Sequence, residues 1–93
     1  MRFTIKYHPR VVAEDIPKLS SDSKRRISRS ILQKLATAPI VFGKPLRHSL
    51  VGNYAMRVGD YRVVYLIERN AVKVIAIQHR SKDYKGVKQR LTP

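Results

Sequence analysis

The stretch MRVGDYRVVY, residues 56–65, constrains this chain more than any other. Gly59-Asp60 stands between two strand-like runs, and a Gly-Asp pair in that setting marks a two-residue β-hairpin loop. A loop of that length fixes the register: Val58 falls opposite Tyr61, and Arg57 directly opposite Arg62. The pleat then sorts the side chains. Tyr54, Met56, Val58, Tyr61, Val63 and Tyr65 share one face, large and mostly apolar, which belongs under a layer of helices. Ala55, Arg57, Arg62, Val64 and Leu66 share the other. Like charges directly opposite destabilise a sheet, so the paired arginines demand a reason. A one-residue bulge at the loop would instead send them to opposite faces.

The remaining segments extend the hairpin into an α+β architecture. MRFTIKY alternates, with Phe3, Ile5 and Tyr7 on one side, as a half-buried strand does. Pro9 suits the first position of a helix. Val12, Ile16 and Leu19 keep helical spacing, and Pro17 kinks or ends that helix. SSDS offers capping side chains for a second helix. Its apolar stripe is Ile27, Ile31, Leu35 and Ala38, with Lys24, Arg25, Arg29 and Lys34 off the stripe and Pro39 as its stop. Residues 39–52 read as a connector pinned to the core by Leu46 and Leu50. Three strands follow, over about 54–58, 61–68 and 71–79. The middle one is apolar on both sides, the pattern of a central strand covered on both faces. The tail holds a turn of helix around Val87 and Leu91. This order predicts a single domain over residues 1–93: a mainly antiparallel four-stranded sheet (β-α-α-β-β-β) with two N-terminal helices packed on one face.

Twenty Lys/Arg against six Asp/Glu leave a net charge of +14 on 93 residues. That density repels itself and calls for a polyanionic partner, whether nucleic acid, acidic protein or anionic membrane. The basic residues run through the whole chain, so they belong to a folded surface rather than a disordered arm. No helix pairs a basic face with a strongly aromatic one, which disfavours a membrane role. The chain has no cysteine, which excludes disulfide scaffolds, thiol catalysis and cysteine-based zinc sites. MRFTIKYHPR lacks the apolar run of a secretory signal, and VVYLI is far too short to span a bilayer. A soluble cytoplasmic protein is the expectation.

Arginine's planar fork matches phosphate oxygens, and two forks can bracket one phosphate. The small Ala55 leaves room beside the Arg57/Arg62 pair. Strand arginines also splay apart into water, but a facing pair in so basic a chain favours anion binding. IQHRSKDYK, residues 77–85, adds His79, Arg80, Lys82, Tyr84 and Lys85. Taken alone, that cluster reads equally well as a solvated strand end. His79 and Arg80 cannot both face Arg62 in a regular strand, and the turn at Arg69-Asn70 decides which one does. No plausible carboxylate pair serves magnesium-dependent phosphoryl transfer. His8, His48 and His79 lack metal-ligand spacing, and VFGKPLR lacks the second glycine and the Lys-Ser/Thr ending of a phosphate loop. No cofactor is expected. What remains is metal-free RNA cleavage, in which the RNA's own 2′-hydroxyl attacks the adjacent phosphate. Arginines suit the added phosphate charge. At neutral pH Arg (pKa about 12.5–13.8) is a poor acid and Tyr (about 10) a poor base. His79 is the one side chain tuned to move protons.

GKPLRHSLVGNYAMRVGDYRVVYLI, followed by VIAIQHRSKDY, resembles the RelE/ParE superfamily of bacterial and archaeal toxins, most of all the RelE-type ribosome-dependent mRNA interferases. The element order matches over nearly the whole chain, and the specific part is roughly the second half. The resemblance implies a four- or five-stranded sheet with N-terminal helices on one face, and metal-free cleavage of mRNA in the ribosomal A site. It implies that Arg62 contacts phosphate, that Arg80 stabilises the transition state and protonates the leaving oxygen, and that Tyr84 stacks on or orients the substrate. Arg57 matches a basic position on the preceding strand. Ala55 falls where some members carry a lysine, a departure that bears on cleavage efficiency. His79 stands where members vary, and with Lys82 and Lys85 it completes the expected RNA-binding cluster. A protein that enters the ribosome meets rRNA on several sides, so a basic helix face at Lys24, Arg25 and Arg29 fits the same picture. The implied partners are the ribosome, mRNA and an antitoxin encoded beside the toxin, acidic where it covers this surface. Two other readings stay open. One is a ParE-type DNA gyrase inhibitor, which shares the fold without nuclease chemistry. The other is an inactive relative kept as an RNA- or antitoxin-binding module.

Overall fold

The computed structural model describes residues 2–92. Its strands are β1 (Thr4–Tyr7), β2 (Lys44–Pro45), β3 (Asn53–Val58), β4 (Tyr61–Glu68) and β5 (Ala71–His79); its α-helices are α1 (Ser21–Ser30), α2 (Pro39–Phe42) and α3 (Lys85–Leu91). The hairpin forms in the expected register. Gly59 takes a φ of 59°, the positive angle required at the first central position of a two-residue loop, and Val58 faces Tyr61 as Arg57 faces Arg62. A second two-residue turn at Arg69-Asn70 pairs Glu68 with Ala71. The sheet order is β1-β5-β4-β3-β2, which makes β4 the central strand; β1 joins β5 in parallel and the other pairs are antiparallel.

The sheet has five strands where four were expected. The extra one lies in the connector, with Lys44 opposite Ala55 and Pro45 opposite Tyr54. Proline forfeits a ladder donor, a loss an edge strand tolerates. Gly43 lies so close to the Tyr65 phenol that a Cβ there would overlap it.

The first helical segment, residues 9–18, also departs from regular spacing. Val11 is fully buried and Val12 is exposed, the reverse of an ordinary helix through Val12, Ile16 and Leu19. Ile16 N–H bonds to the Val11 carbonyl, a turn one residue wider than α, and Leu19 N–H bonds to the Ile16 carbonyl, a turn one residue tighter. The core-facing positions Val11, Ile16 and Leu19 therefore step by five and then by three. Ser20 caps α1 by accepting the Ser23 N–H at 3.1 Å. Ile27, Ile31 and Leu35 form its buried stripe, as expected. A second wide turn, with Ala36 N–H on the Ile31 carbonyl, then buries Ala36 and leaves Ala38 half-exposed. The helix has ended before Pro39. That proline opens α2 instead of stopping α1, and its carbonyl accepts the Tyr65 phenol at 2.6 Å.

Two clusters sandwich the sheet. Val11, Leu19, Ile27, Ile31 and Leu35 pack on Met56, Val58, Val63, Tyr65, Val72, Val74 and Ile77. On the other face Leu50, Val64, Ile75, Ala76 and Val87 form a smaller core, with Leu46, Tyr84 and Leu91 against it. Leu46 and Leu50 pin the connector as expected, and α3 packs Val87 and Leu91 on the face that the N-terminal helices leave bare. Between Val64↔Ala76 and Tyr65↔Val74, Ile75 has no partner on β4, so β5 carries a bulge there.

Strand β1 stops at Tyr7, and a side-chain pair continues its role along β5. Asp15 Oδ2 accepts the Ile77 N–H at 2.8 Å, and Arg90 Nη1 donates to the Ile75 carbonyl at 3.0 Å. The two side chains bond to each other twice, Nη1 to Oδ2 at 2.6 Å and Nη2 to Oδ1 at 2.8 Å, with only 9% and 10% of their surfaces exposed. This buried clasp ties α3 to the first helical segment. Among the described residues no helix is long and apolar enough to cross a membrane.

Candidate nucleic-acid interface

The facing arginines do not share one ligand-ready space. Arg57 turns back on its own hairpin, its Nε donating to the Gly59 carbonyl at 2.9 Å. Arg62 reaches across to the tail. Its Nη1 donates to the Tyr84 phenol oxygen at 3.3 Å, and its guanidinium carbon lies 5.6 Å from the Tyr84 ring centroid. Two cations at adjacent positions thus find separate partners, which relieves the repulsion that their register creates. A guanidinium carries five donors, and Arg62 commits one of them to Tyr84. The pair presents a cation beside an aromatic face, a combination that takes a phosphate and a stacked base together.

Gln78 places the tail that delivers Tyr84. It sits opposite Arg62 on β5, and its Nε2 donates to the Asp83 carbonyl at 3.2 Å. The Asp83 carboxylate in turn accepts the Lys85 N–H at 3.0 Å. Sequence reasoning passed over Gln78 because an uncharged residue in a basic run carries no signal of its own. Strand register alone exposes it.

The bulge decides where the next residues point. Gln78 and Arg80 fall on the Arg62 face, and His79 falls on the helix face. The His79 ring meets Tyr61 edge-on, with centroids 5.6 Å apart at 82°. The Ser81 N–H donates to His79 Nδ1 at 3.2 Å, and Ser81 Oγ lies 2.8 Å from the same nitrogen. A neutral ring so held carries its proton on Nε2. His79 is therefore separated from Arg62 and Tyr84 rather than joined to them, and the expected single cluster splits in two. Arg80 extends the ladder, its N–H on the Asp60 carbonyl at 2.8 Å, and its exposed guanidinium lies 3.5 Å from the Asp60 carboxylate.

The other basic residues lie around this centre. Lys82 and His79 line a groove of about 660 Å³ with Lys18 and the Asp15–Arg90 clasp. Lys85 stands beside Tyr84 at the start of α3. Lys24, Arg25 and Arg29 line a shallow depression on the outer face of α1, with Arg25 paired to Asp22. Because α1 packs on the opposite face of the sheet from Arg62, this patch is a separate surface.

A five-stranded sheet with the N-terminal helices on one face, α3 on the other and an Arg–Tyr pair beside α3 defines a small basic protein of RelE-like fold. The family model described as the ParE toxin of the type II toxin-antitoxin system parDE matches residues 5–84. The chain is 34% identical over 84 residues to Toxin RelE of Mycobacterium tuberculosis, spanning 85% of this chain and 87% of that one. It is 29% identical over 87 residues to Toxin RelG of the same organism, spanning 91% and 99%. Among solved structures, the toxin-antitoxin complex RelBE2 from Mycobacterium tuberculosis matches with a TM-score of 0.78 at 26% identity, over 88% of this chain and 95% of that one. The chain belongs to the RelE/ParE superfamily, on its RelE-like side, and is a toxin of a type II toxin-antitoxin system.

Proposed function

We propose that this toxin is a metal-free endoribonuclease that cuts mRNA in the ribosomal A site and so inhibits translation. The observation that carries the reading is the contact of Arg62 with Tyr84 on the sheet face opposite the helices. The 2′-hydroxyl of the RNA attacks the adjacent phosphorus, a 2′-O–P bond forms, and the bond to the 5′-oxygen of the next nucleotide breaks. One proton leaves the attacking oxygen and one reaches the leaving oxygen. Arg62 holds the phosphate and stabilises its added charge. Tyr84 stacks on a base and orients the strand. Arg80, on the same face, serves the transition state and the leaving oxygen. Arg57, His79, Lys82 and Lys85 guide the flanking strand, and Lys24, Arg25 and Arg29 meet ribosomal RNA on the helix side. The whole chain acts as one domain in the cytoplasm, without a cofactor.

The partner proposed to silence it is an antitoxin encoded beside it and acidic where it covers the basic face. The RelBE2 relative is itself a toxin-antitoxin complex, which supports this assignment. Primer extension on an mRNA in a translating extract, run beside naked mRNA, tests the activity. Cuts at the A-site codon only in the presence of ribosomes are expected. Arg62→Ala and Arg80→Ala should each lower cleavage by about 10²–10³-fold while the proteins stay folded. Folded variants with full toxicity would show that the site is elsewhere. The description of the matching family model as a ParE toxin favours a second reading, inhibition of DNA gyrase. Intact mRNA together with blocked supercoiling by purified gyrase would select it. RNA binding without cleavage products would instead mark an inactive relative and point to Ala55.

A further inference from the structure

We infer that the groove between the His48–Leu50 turn and α3 is a second phosphate subsite for the RNA strand, built on Lys85, Lys88 and His48. The inference rests on the proposed RNA substrate and extends it beyond the scissile phosphate. The groove measures about 470 Å³. Arg47, His48, Lys85 and Lys88 line it, and none of them takes part in an ion pair among the described residues. Lys85 and Lys88 stand three apart on one short helix, where like charges meet and repel. Asp83 is the one acid in the groove, its Oδ1 accepting the Lys85 backbone N–H, so Arg47, Lys85 and Lys88 outnumber it three to one. Such an excess of positive charge along a groove raises the local potential and draws an anion to it.

The backbone offers an independent reason. His48 has a φ of 58°, a left-handed conformation that is unfavourable for a residue with a Cβ. Strain of this kind persists where the surroundings over-determine it, and it concentrates at binding sites. Here the turn is held by Leu50 N–H on the Arg47 carbonyl, by Val51 N–H on the His48 carbonyl, and by the buried Asn53 amide donating to the Leu50 carbonyl. From this turn His48 lines the groove.

Two features favour a nucleic-acid strand over an acidic peptide. Tyr84 forms one wall of the groove and also stacks on Arg62, so the groove runs on directly from the candidate cleavage site. An aromatic wall beside cations suits a base and its phosphate.

The test is binding of a short single-stranded RNA carrying 2′-O-methyl groups, which cannot be cut, followed by fluorescence anisotropy across a salt series. Each phosphate contact to single-stranded nucleic acid contributes about 0.7 to the slope of log affinity against log salt. The Lys85→Ala/Lys88→Ala variant should bind more weakly, with a slope shallower by about 0.7, the contribution of one phosphate. His48→Gly, which relaxes the turn, should raise thermal stability and weaken binding without changing the fold. Unchanged affinity and slope in the double variant would overturn the subsite. So would unaltered RNA binding combined with lost binding to a polyglutamate peptide, which would assign the groove to an acidic protein. Ribosome-dependent cutting with an unmoved slope defeats this inference alone. A reduced slope with no cutting defeats only the proposed activity.

Discussion

Replacing Arg90 with methionine removes one half of the clasp that continues β1. The side chain makes three hydrogen bonds, two to Asp15 and one to the Ile75 carbonyl, with 9% of its surface exposed. Its loss leaves the Asp15 carboxylate in place with only the Ile77 N–H as donor, and leaves the Ile75 carbonyl without its side-chain donor. Removing one partner of a buried pair costs roughly 3–5 kcal/mol. A native chain of this size holds about 5–14 kcal/mol in total, so Arg90→Met takes a large share of it. At about 4 °C or more per kcal/mol for a domain under a hundred residues, the midpoint should fall by at least about 12 °C. Urea denaturation and thermal melting, both followed by circular dichroism, measure the loss.

The double variant Asp15→Asn/Arg90→Met separates charge from packing. An amide oxygen at position 15 still accepts the Ile77 N–H, and no stranded carboxylate remains. The double variant should therefore be more stable than Arg90→Met alone, with a positive coupling in the double-mutant cycle. A cost below about 1 kcal/mol for Arg90→Met, the range of exposed pairs, would refute the reasoning. Equal losses in the single and double variants would show that the carboxylate is not what makes the loss large.

The Tyr65 phenol donates to the Pro39 carbonyl from a fully buried position, so Tyr65→Phe should cost about 1–2 kcal/mol at neutral pH in chemical denaturation. Burial, with a smaller contribution from Tyr54, pushes this phenol up to about 12 from an ordinary 10. The unfolded chain loses that proton first, so the wild-type protein loses stability as pH rises from 10 towards 12, and Tyr65→Phe lacks that part of the loss. Gly43→Ala drives a Cβ into the same phenol and should destabilise by about 1–3 kcal/mol. Adding Tyr65→Phe should recover part of it, and strictly additive losses would count against the clash.

The hairpin was legible because a two-residue loop leaves no freedom in register. Both faces of β3 and β4 follow from Gly59-Asp60 alone, down to the pairing of Arg57 with Arg62. The stripe Ile27, Ile31, Leu35 was legible because α1 keeps regular spacing until its last turn. The first helical segment was not, since wide and tight turns shift the phase and no residue type announces them. Strand β2 was hidden by its length of two residues and by a proline. The clasp was hidden by distance: Asp15 and Arg90 lie 75 positions apart, and each alone reads as an ordinary surface charge.

The bulge at Ile75 governs the layout of the site, and its invisibility has a physical cause. Val72 and Val74 point to the helices, while Ile75 and Ala76 both pack on the opposite core. A strand buried on both faces is apolar at every position, so its sequence carries no alternation from which a missed step could be read. The consequence reaches past the core. With strict alternation from Val74, His79 would share the face of Arg62, and Gln78 and Arg80 would lie under the helices. One unpaired residue reverses the order, so that His79 meets Tyr61 while Gln78 stands beside Arg62 and steers the tail to it. The bulge thereby takes the imidazole away from Arg62 and leaves three guanidiniums, those of Arg57, Arg62 and Arg80, and the Tyr84 phenol on that face. If the proposed cleavage occurs there, its proton steps fall to Arg80, Tyr84 or groups of the bound RNA. A rate profile through neutral pH should then lack the inflection that an essential histidine imposes.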